Sequence, residues 1–191
     1  MKNIVLLGGN GYLGRNFTKD WLDHDKDSHF YVLSRSGQNQ LANPAITNIK
    51  VDVTDEQAVL NAIPDNIDYI IDFVGAPSND PQEFEKLNQK PAHVMRAVAE
   101  KKNAKAMGFI GGILGPKKFT TVKKELIKYL QASPVPLAYV EPTLVYGAGR
   151  KDKMTRNVPL LKFLGIFSAK FKPVLVGDVV EELRQKLIKF N

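Results

Sequence analysis

The chain has 191 residues, 43% of them hydrophobic, enough to bury one full core but with little room for a second domain. It holds no cysteine, which excludes disulfides, thiolate chemistry and cysteine-ligated metal; His24, His29 and His93 lack metal-site spacing, so no metal is expected. The net charge of +7 is uneven, since residues 1–100 carry 9 Lys+Arg against 14 Asp+Glu (net −5) and residues 101–191 carry 18 against 6 (net +12).

The first predicted strand, Ile4 to Leu7, runs into Gly8-Gly9-Asn10-Gly11-Tyr12-Leu13-Gly14-Arg15, and an amphipathic helix is predicted from Tyr12 to about His24. A glycine-rich turn between strand and helix is a phosphate-binding device. Its backbone N–H groups approach a pyrophosphate, and the helix adds its positive dipole end. Gly8, Gly11 and Gly14 give one glycine register and Gly9, Gly11 and Gly14 another, and both stay open. The expected ligand is a dinucleotide held by Gly8, Asn10, Gly11, Tyr12, Leu13, Gly14 and Arg15.

The second strand, Phe30 to Leu33, ends in Ser34-Arg35-Ser36-Gly37. An NAD site places a carboxylate there to accept from the adenosine ribose, and none is present. Ser34 and Arg35 instead offer a hydroxyl and a guanidinium that suit a 2′-phosphate, with Arg15 as a second positive group. NADP(H) is therefore expected over NAD(H).

A third strand is predicted over Ile46 to Val51, followed by a helix near Asp55 with the capping-box spacing Thr54-x-x-Gln57. Ile67 to Val74 reads as a buried strand, Gln82 to about Lys102 as one long helix, and Ala104 to Ile110 as a fifth strand. Phe119 to about Ala132 reads as a helix and Leu137 to Val140 as a strand. Val174 to Val176 leads into a final helix from Gly177. Strands alternating with helices predict an α/β, Rossmann-like, doubly wound parallel sheet with helices on both faces, a single domain over residues 1–191. The opening apolar run is too short for a signal-peptide core, and no segment reaches membrane-spanning length, so a cytoplasmic location is expected.

With these landmarks the chain resembles the short-chain dehydrogenase/reductase superfamily, within its atypical and extended NAD(P)-binding, epimerase/dehydratase-like group. The glycine register Gly8/Gly11/Gly14 carries the likeness, with Val51-Asp52-Val53-Thr54-Asp55, Phe73-Val74-Gly75-Ala76, Glu141-Pro142-Thr143-Leu144-Val145-Tyr146-Gly147 and Val176-Gly177-Asp178. The resemblance implies that Asp52 and Val53 face the adenine. It implies too that Val74, Gly75 and Ala76 line the cofactor, and that Pro142, Thr143 and Val145 lie beside the nicotinamide. It further implies a substrate-side cap, here reduced to about residues 142–175.

The superfamily's reductases use a tyrosine four residues before a lysine, with a serine nearby, to exchange a proton while the nicotinamide exchanges a hydride. The matching pair here is Phe119-x-x-x-Lys123, and residues 107–118 contain neither Ser nor Thr. Phenylalanine exchanges no proton. Lys123 keeps either the family's second role, holding the nicotinamide ribose, or the role of one solvated lysine beside Lys117, Lys118 and Lys124. Thr120, Thr121 and Tyr146 are the substitute donors on offer, and Glu141 replaces the arginine usual before that proline.

Three functions remain open. The first is an NADP(H)-binding protein without the Tyr/Ser pair, acting as a sensor, scaffold or assembly-type protein toward a small substrate or protein partner. A second is an NADPH-dependent oxidoreductase with a non-standard proton donor or a quinone-like acceptor. The third is a basic peripheral protein, binding a membrane or partner, with a structural nucleotide; the apolar stretch Leu160–Phe171 with its basic flanks is either a cover for the cleft or such a contact. The lysines lack a reading helix or aromatic stacking platform, which argues against nucleic acid.

Overall fold

The computed structural model describes residues 1–151, 158–159, 161 and 172–190. The Leu160–Phe171 stretch, apart from residue 161, and much of the expected cap therefore lie outside the described residues. In chain order the elements are β1 (Lys2–Leu7), α1 (Tyr12–His24), β2 (Ser28–Ser34), β3 (Ile46–Lys50), α2 (Glu56–Ala62), β4 (Tyr69–Asp72), α3 (Pro81–Asn88), α4 (Lys90–Lys101), β5 (Ala106–Ile110), α5 (Lys117–Gln131) and β6 (Leu137–Val140). They are followed by β7 (Val145–Tyr146), β8 (Val174–Leu175), α6 (Val176–Leu187) and a 3-10 turn (Ile188–Phe190).

Six strands form one sheet in the order β3-β2-β1-β4-β5-β6, and every neighbouring pair is parallel. The order reverses between β1 and β4, and that switch point opens a crevice above the carboxyl ends of the strands. This is the expected Rossmann-like fold. The pair β7–β8 forms a small parallel sheet of its own, Val145 opposite Val174, which tethers the chain after β6 to the start of α6.

Because the sheet is covered on both faces, its central strands are apolar over most of their length, Asp72 at the end of β4 being the buried exception. Side chains alternate between two cores. On one face Phe17 and Trp21 of α1 and Val179, Val180, Leu183 and Leu187 of α6 pack on Ile4, Leu6, Tyr69 and Ile71. On the other, Val59, Met95, Val98, Leu126, Ile127 and Leu130 from α2, α4 and α5 pack on Val5, Leu7, Ile70 and Phe109. Each such side chain contributes roughly 1.5–3 kcal/mol by leaving water.

Two local expectations change. Thr54 does not cap α2: Asp55 is the N-cap, its carboxylate accepting from the Ala58 N–H, while the Thr54 hydroxyl donates to Asp52 Oδ1. The long helix expected from Gln82 to about Lys102 is two helices that meet at Gln89. Pro91 has no N–H to offer the carbonyl four residues back, so the ladder breaks there and a second helix starts with proline in its first turn.

Candidate functional site

The site grows from the turn between β1 and α1. Gly8 takes φ +71°, and a Cβ there would lie 2.8 Å from Val74 Cγ2. A Cβ on Gly9 would strike Leu6, and one on Gly14 would lie 2.4 Å from the Gly9 carbonyl oxygen. Both glycine registers are thus in use, one for the turn and the other for packing the helix onto the strand. Gly11 precedes α1 without a side-chain cap, and the helix's first turn holds no carboxylate. The unbonded N–H groups at that helix end are left for an anion. A dinucleotide's pyrophosphate fits this cradle.

Beside the turn, over the ends of β2 and β3, lies a cleft of about 370 Å³ lined by Gly8, Asn10, Ser34, Arg35, Ser36, Asp52, Val53, Thr54, Val74 and Lys86, among others. Arg35 is exposed and has no hydrogen bond or ion pair among the described residues. The buried Ser34 hydroxyl accepts from the Gly37 N–H, and Ser36 sits within reach of Asn10, whose side-chain amide donates to the Gln38 carbonyl. Asp52 is held by the Thr54 N–H (3.0 Å) and hydroxyl (2.8 Å) and faces Lys86 of α3 at 3.6 Å. The Thr54 backbone bond, its hydroxyl and Lys86 keep the Asp52 carboxyl below the usual range.

A second cavity, about 160 Å³, lies over the ends of β4, β5 and β6 and is lined by Leu13, Phe73, Val74, Gly75, Phe119, Lys123, Pro142, Thr143, Val145 and Arg150, among others. It brings together the segment after β4, which the resemblance implies lines the cofactor, and the segment after β6, which it implies lies beside the nicotinamide. Lys123 is 3% exposed, whereas Lys117, Lys118 and Lys124 face solvent, so it is not one of a solvated cluster. Its Nζ lies 4.4 Å from the Phe109 ring centroid and 5.7 Å from that of Phe119. A Cβ on Gly75 would come within 2.9 Å of Nζ and push the end of the lysine side chain aside. Thr120, Thr121 and Tyr146 are not among the lining residues, and the Thr120 hydroxyl donates to the Lys117 carbonyl.

Other expected residues are placed differently. Arg15 bonds the carbonyl of Asn10, which lines the Arg35 cleft, and itself lines a third cavity with Gly11, Tyr12, Gly14 and Arg150. Tyr12 donates to the Gly147 carbonyl at 3.0 Å, and Arg150 lies over its ring. Ala76 lines neither of the first two cavities and is clamped by Asn88 of α3. The Ala76 N–H donates to Asn88 Oδ1 (3.2 Å), and Asn88 Nδ2 donates to the Ala76 carbonyl (2.8 Å).

Sequence reasoning missed Lys86, Asn88 and Asp72. Asp72, the last residue of β4, is 1% exposed; its Oδ1 accepts from the Val74 N–H at 2.8 Å and its Oδ2 is buried without a partner. Burial pushes its carboxyl up to about 7, against the pull of Lys123 and the Val74 N–H. Burial lowers the Lys123 ammonium, against the pull of Asp72.

A family model described as the NAD dependent epimerase/dehydratase family matches residues 4–111. No curated protein sequence matches the chain. Among solved structures it is similar to the Bordetella bronchiseptica enzyme WbmH in complex with NAD+ (13% identity, TM-score 0.74, covering 98% of this chain and 72% of that one). It is also similar to an oxidoreductase of the short chain dehydrogenase/reductase family from Burkholderia thailandensis (15%, 0.75, 96% and 84%). A UDP-glucose 4-epimerase is a third (17%, 0.73, 98% and 73%). At these identities the likeness speaks for the fold.

Proposed function

The chain belongs to the NAD dependent epimerase/dehydratase family, and from that membership we propose that it binds NADP(H) in preference to NAD(H) without the family's tyrosine-dependent chemistry, serving as a nucleotide-responsive sensor, scaffold or assembly-type protein. The observation that carries this reading is Arg35. It is a guanidinium unpaired among the described residues, lining the cleft over the ends of β2 and β3, with no carboxylate at the end of β2 to receive a ribose hydroxyl. The bound nicotinamide structure from Bordetella supports the class of ligand.

In this reading Gly8, Asn10, Gly11, Tyr12, Leu13, Gly14 and Arg15 frame the pyrophosphate. Ser34, Arg35, Asp52 and Val53 hold the adenosine side. Val74, Gly75, Pro142, Thr143, Val145 and Lys123 enclose the nicotinamide end, with Ala76 anchored behind them. Nicotinamide supplies hydride chemistry when bound. Phe119, which lines the inner cavity where the resembled reductases carry a tyrosine, supplies no proton.

Calorimetric titration of the chain with NADPH, NADP+, NADH and NAD+ tests the preference, and Arg35→Asp should weaken NADPH while sparing NADH. Equal affinity of the unaltered chain for NADPH and NADH would sink it. Reduction of simple ketones or sugars should be negligible, since a positioned proton donor is worth about 10²–10⁴-fold. A second reading, an oxidoreductase with a non-standard donor, is favoured by the burial of Lys123 in the inner cavity. NADPH-dependent turnover abolished by Lys123→Ala would select it.

A further inference from the structure

Two ionisable side chains are buried beneath the inner cavity with their bonding incomplete. Asp72 ends β4 just before Phe73 and Val74, which line both that cavity and the outer cleft, and its Oδ2 is buried without a hydrogen bond among the described residues. Lys123 lines the cavity itself, packed on the Phe109 ring and against Gly75, with no hydrogen bond or ion pair to any described residue.

Each is a charge acting on the other, and Arg150, stacked over the Tyr12 ring, is a second cation in the lining of the same cavity. In the sheet Asp72 stands between Leu7 and Phe109, and α3 presents the neutral Asn88 toward Gly75 beside it. Other charged groups on this layer are engaged elsewhere or exposed. Lys86 of α3 faces Asp52, Glu56 of α2 pairs with Lys101 of α4, and Arg96 of α4 pairs with Glu100. His93 is exposed against Tyr129, and Lys124 and Lys128 of α5 face solvent.

We propose that Asp72 and Lys123 form a proton-holding pair that reads the oxidation state of the nicotinamide, keeping more proton against the reduced ring than against the oxidised one. The inference rests on the proposal above that the inner cavity takes the nicotinamide end. The oxidised ring carries a positive charge and the reduced ring is neutral. A cation close to a buried carboxyl favours its ionised form, and a neutral ring does not. The Asp72 carboxyl, pushed up to about 7, exchanges its proton in the neutral range, where this difference is felt. With the Asp72 proton in place the pair is one charge more positive, which disfavours the oxidised ring; losing that proton removes the penalty.

Calorimetry of the full chain with NADP+ and NADPH between pH 5.5 and 8.5, in paired buffers of different ionisation enthalpy, counts protons released on binding. The 2′-phosphate ionises alike in both forms, so their difference reports the pair. NADP+ should release more protons than NADPH, with the largest difference near neutrality. A one-unit difference in the carboxyl's pKa between the complexes would shift the affinity ratio by about tenfold toward NADPH at the acid end. Asp72→Asn should flatten that shift. If the variant does not fold, carbon NMR of labelled aspartate in the unaltered protein gives the same answer, the Asp72 carboxyl titrating lower with NADP+ than with NADPH. Binding of both forms with equal proton release overturns the inference and leaves dinucleotide binding standing. Failure of NADP+ and NADPH alike to bind overturns both.

Discussion

A carboxyl oxygen shut away from water without a partner is costly, and Asp72 puts that cost at the end of a central strand. Its carboxyl sits near 7 in the folded chain against an ordinary 3.8, so between those values the folded state binds more protons than the unfolded one. Stability from this group is therefore full below about pH 4, falls as pH rises through 7, and stays low above that; the loss is on the order of a few kcal/mol. Urea denaturation from pH 4.5 to 8 should show this slope, and Asp72→Asn should remove most of it. A pH-independent difference between the two proteins would overturn the assignment. Arg35 and Phe119 were legible in the sequence because each stands at a fixed offset from a motif. Asp72 was not, because an acidic residue inside an apolar run does not say whether it finds a partner. Lys123 was half-legible: its offset was clear, but only packing separates it from the exposed lysines around it.

The strands were readable from apolar runs bounded by turns, and Leu137–Val140 and Tyr12–His24 have the bounds expected of them. The split between α3 and α4 carried a visible signal, Pro91, that helical periodicity on either side outweighed. Its consequence lies at the joint, where Asn88, fully buried, ties α3 to the loop after β4 through Ala76 and donates as well to the Phe84 carbonyl. That loop, whose start is turned by the Val74 N–H bond to Asp72 Oδ1, carries Gly75 past Lys123. Asn88→Ala should leave the Ala76 N–H and carbonyl without these bonds and cost about 1–3 kcal/mol. A lowered urea midpoint, together with faster hydrogen exchange at the Ala76 amide, checks it. An unchanged Ala76 amide would mean that the loop is held by something else.

At the scale of the molecule, doubly wound order was legible from alternation alone, because each parallel strand needs a crossover and a right-handed crossover fixes the covered face. What alternation does not give is how the last helix meets the first. No described helix is long and apolar enough to cross a membrane, and the apolar face of α6 goes into the sheet beside α1, between Trp21 and Val180 and their neighbours. Arg184 of α6 and Asp20 of α1, 164 residues apart, close this layer with a bond of 2.6 Å at its edge. The Arg184 side chain is buried, and its Nη2 has no partner among the described residues, so the pair holds a guanidinium whose bonding is incomplete. Breaking a buried pair from one side costs about 3–5 kcal/mol, but Asp20 is partly exposed, so Asp20→Asn should cost nearer 1 kcal/mol. Arg184→Met keeps the apolar stem and removes the unbonded Nη2, and should be the milder change. The double variant should be more stable than the two single losses added together, since each single change leaves one charge unmatched. Urea denaturation of all four proteins measures this coupling. Strict additivity would show that α1 and α6 are held by Trp21, Val179, Val180 and Leu183 alone, with the ion pair contributing nothing to how the fold is closed.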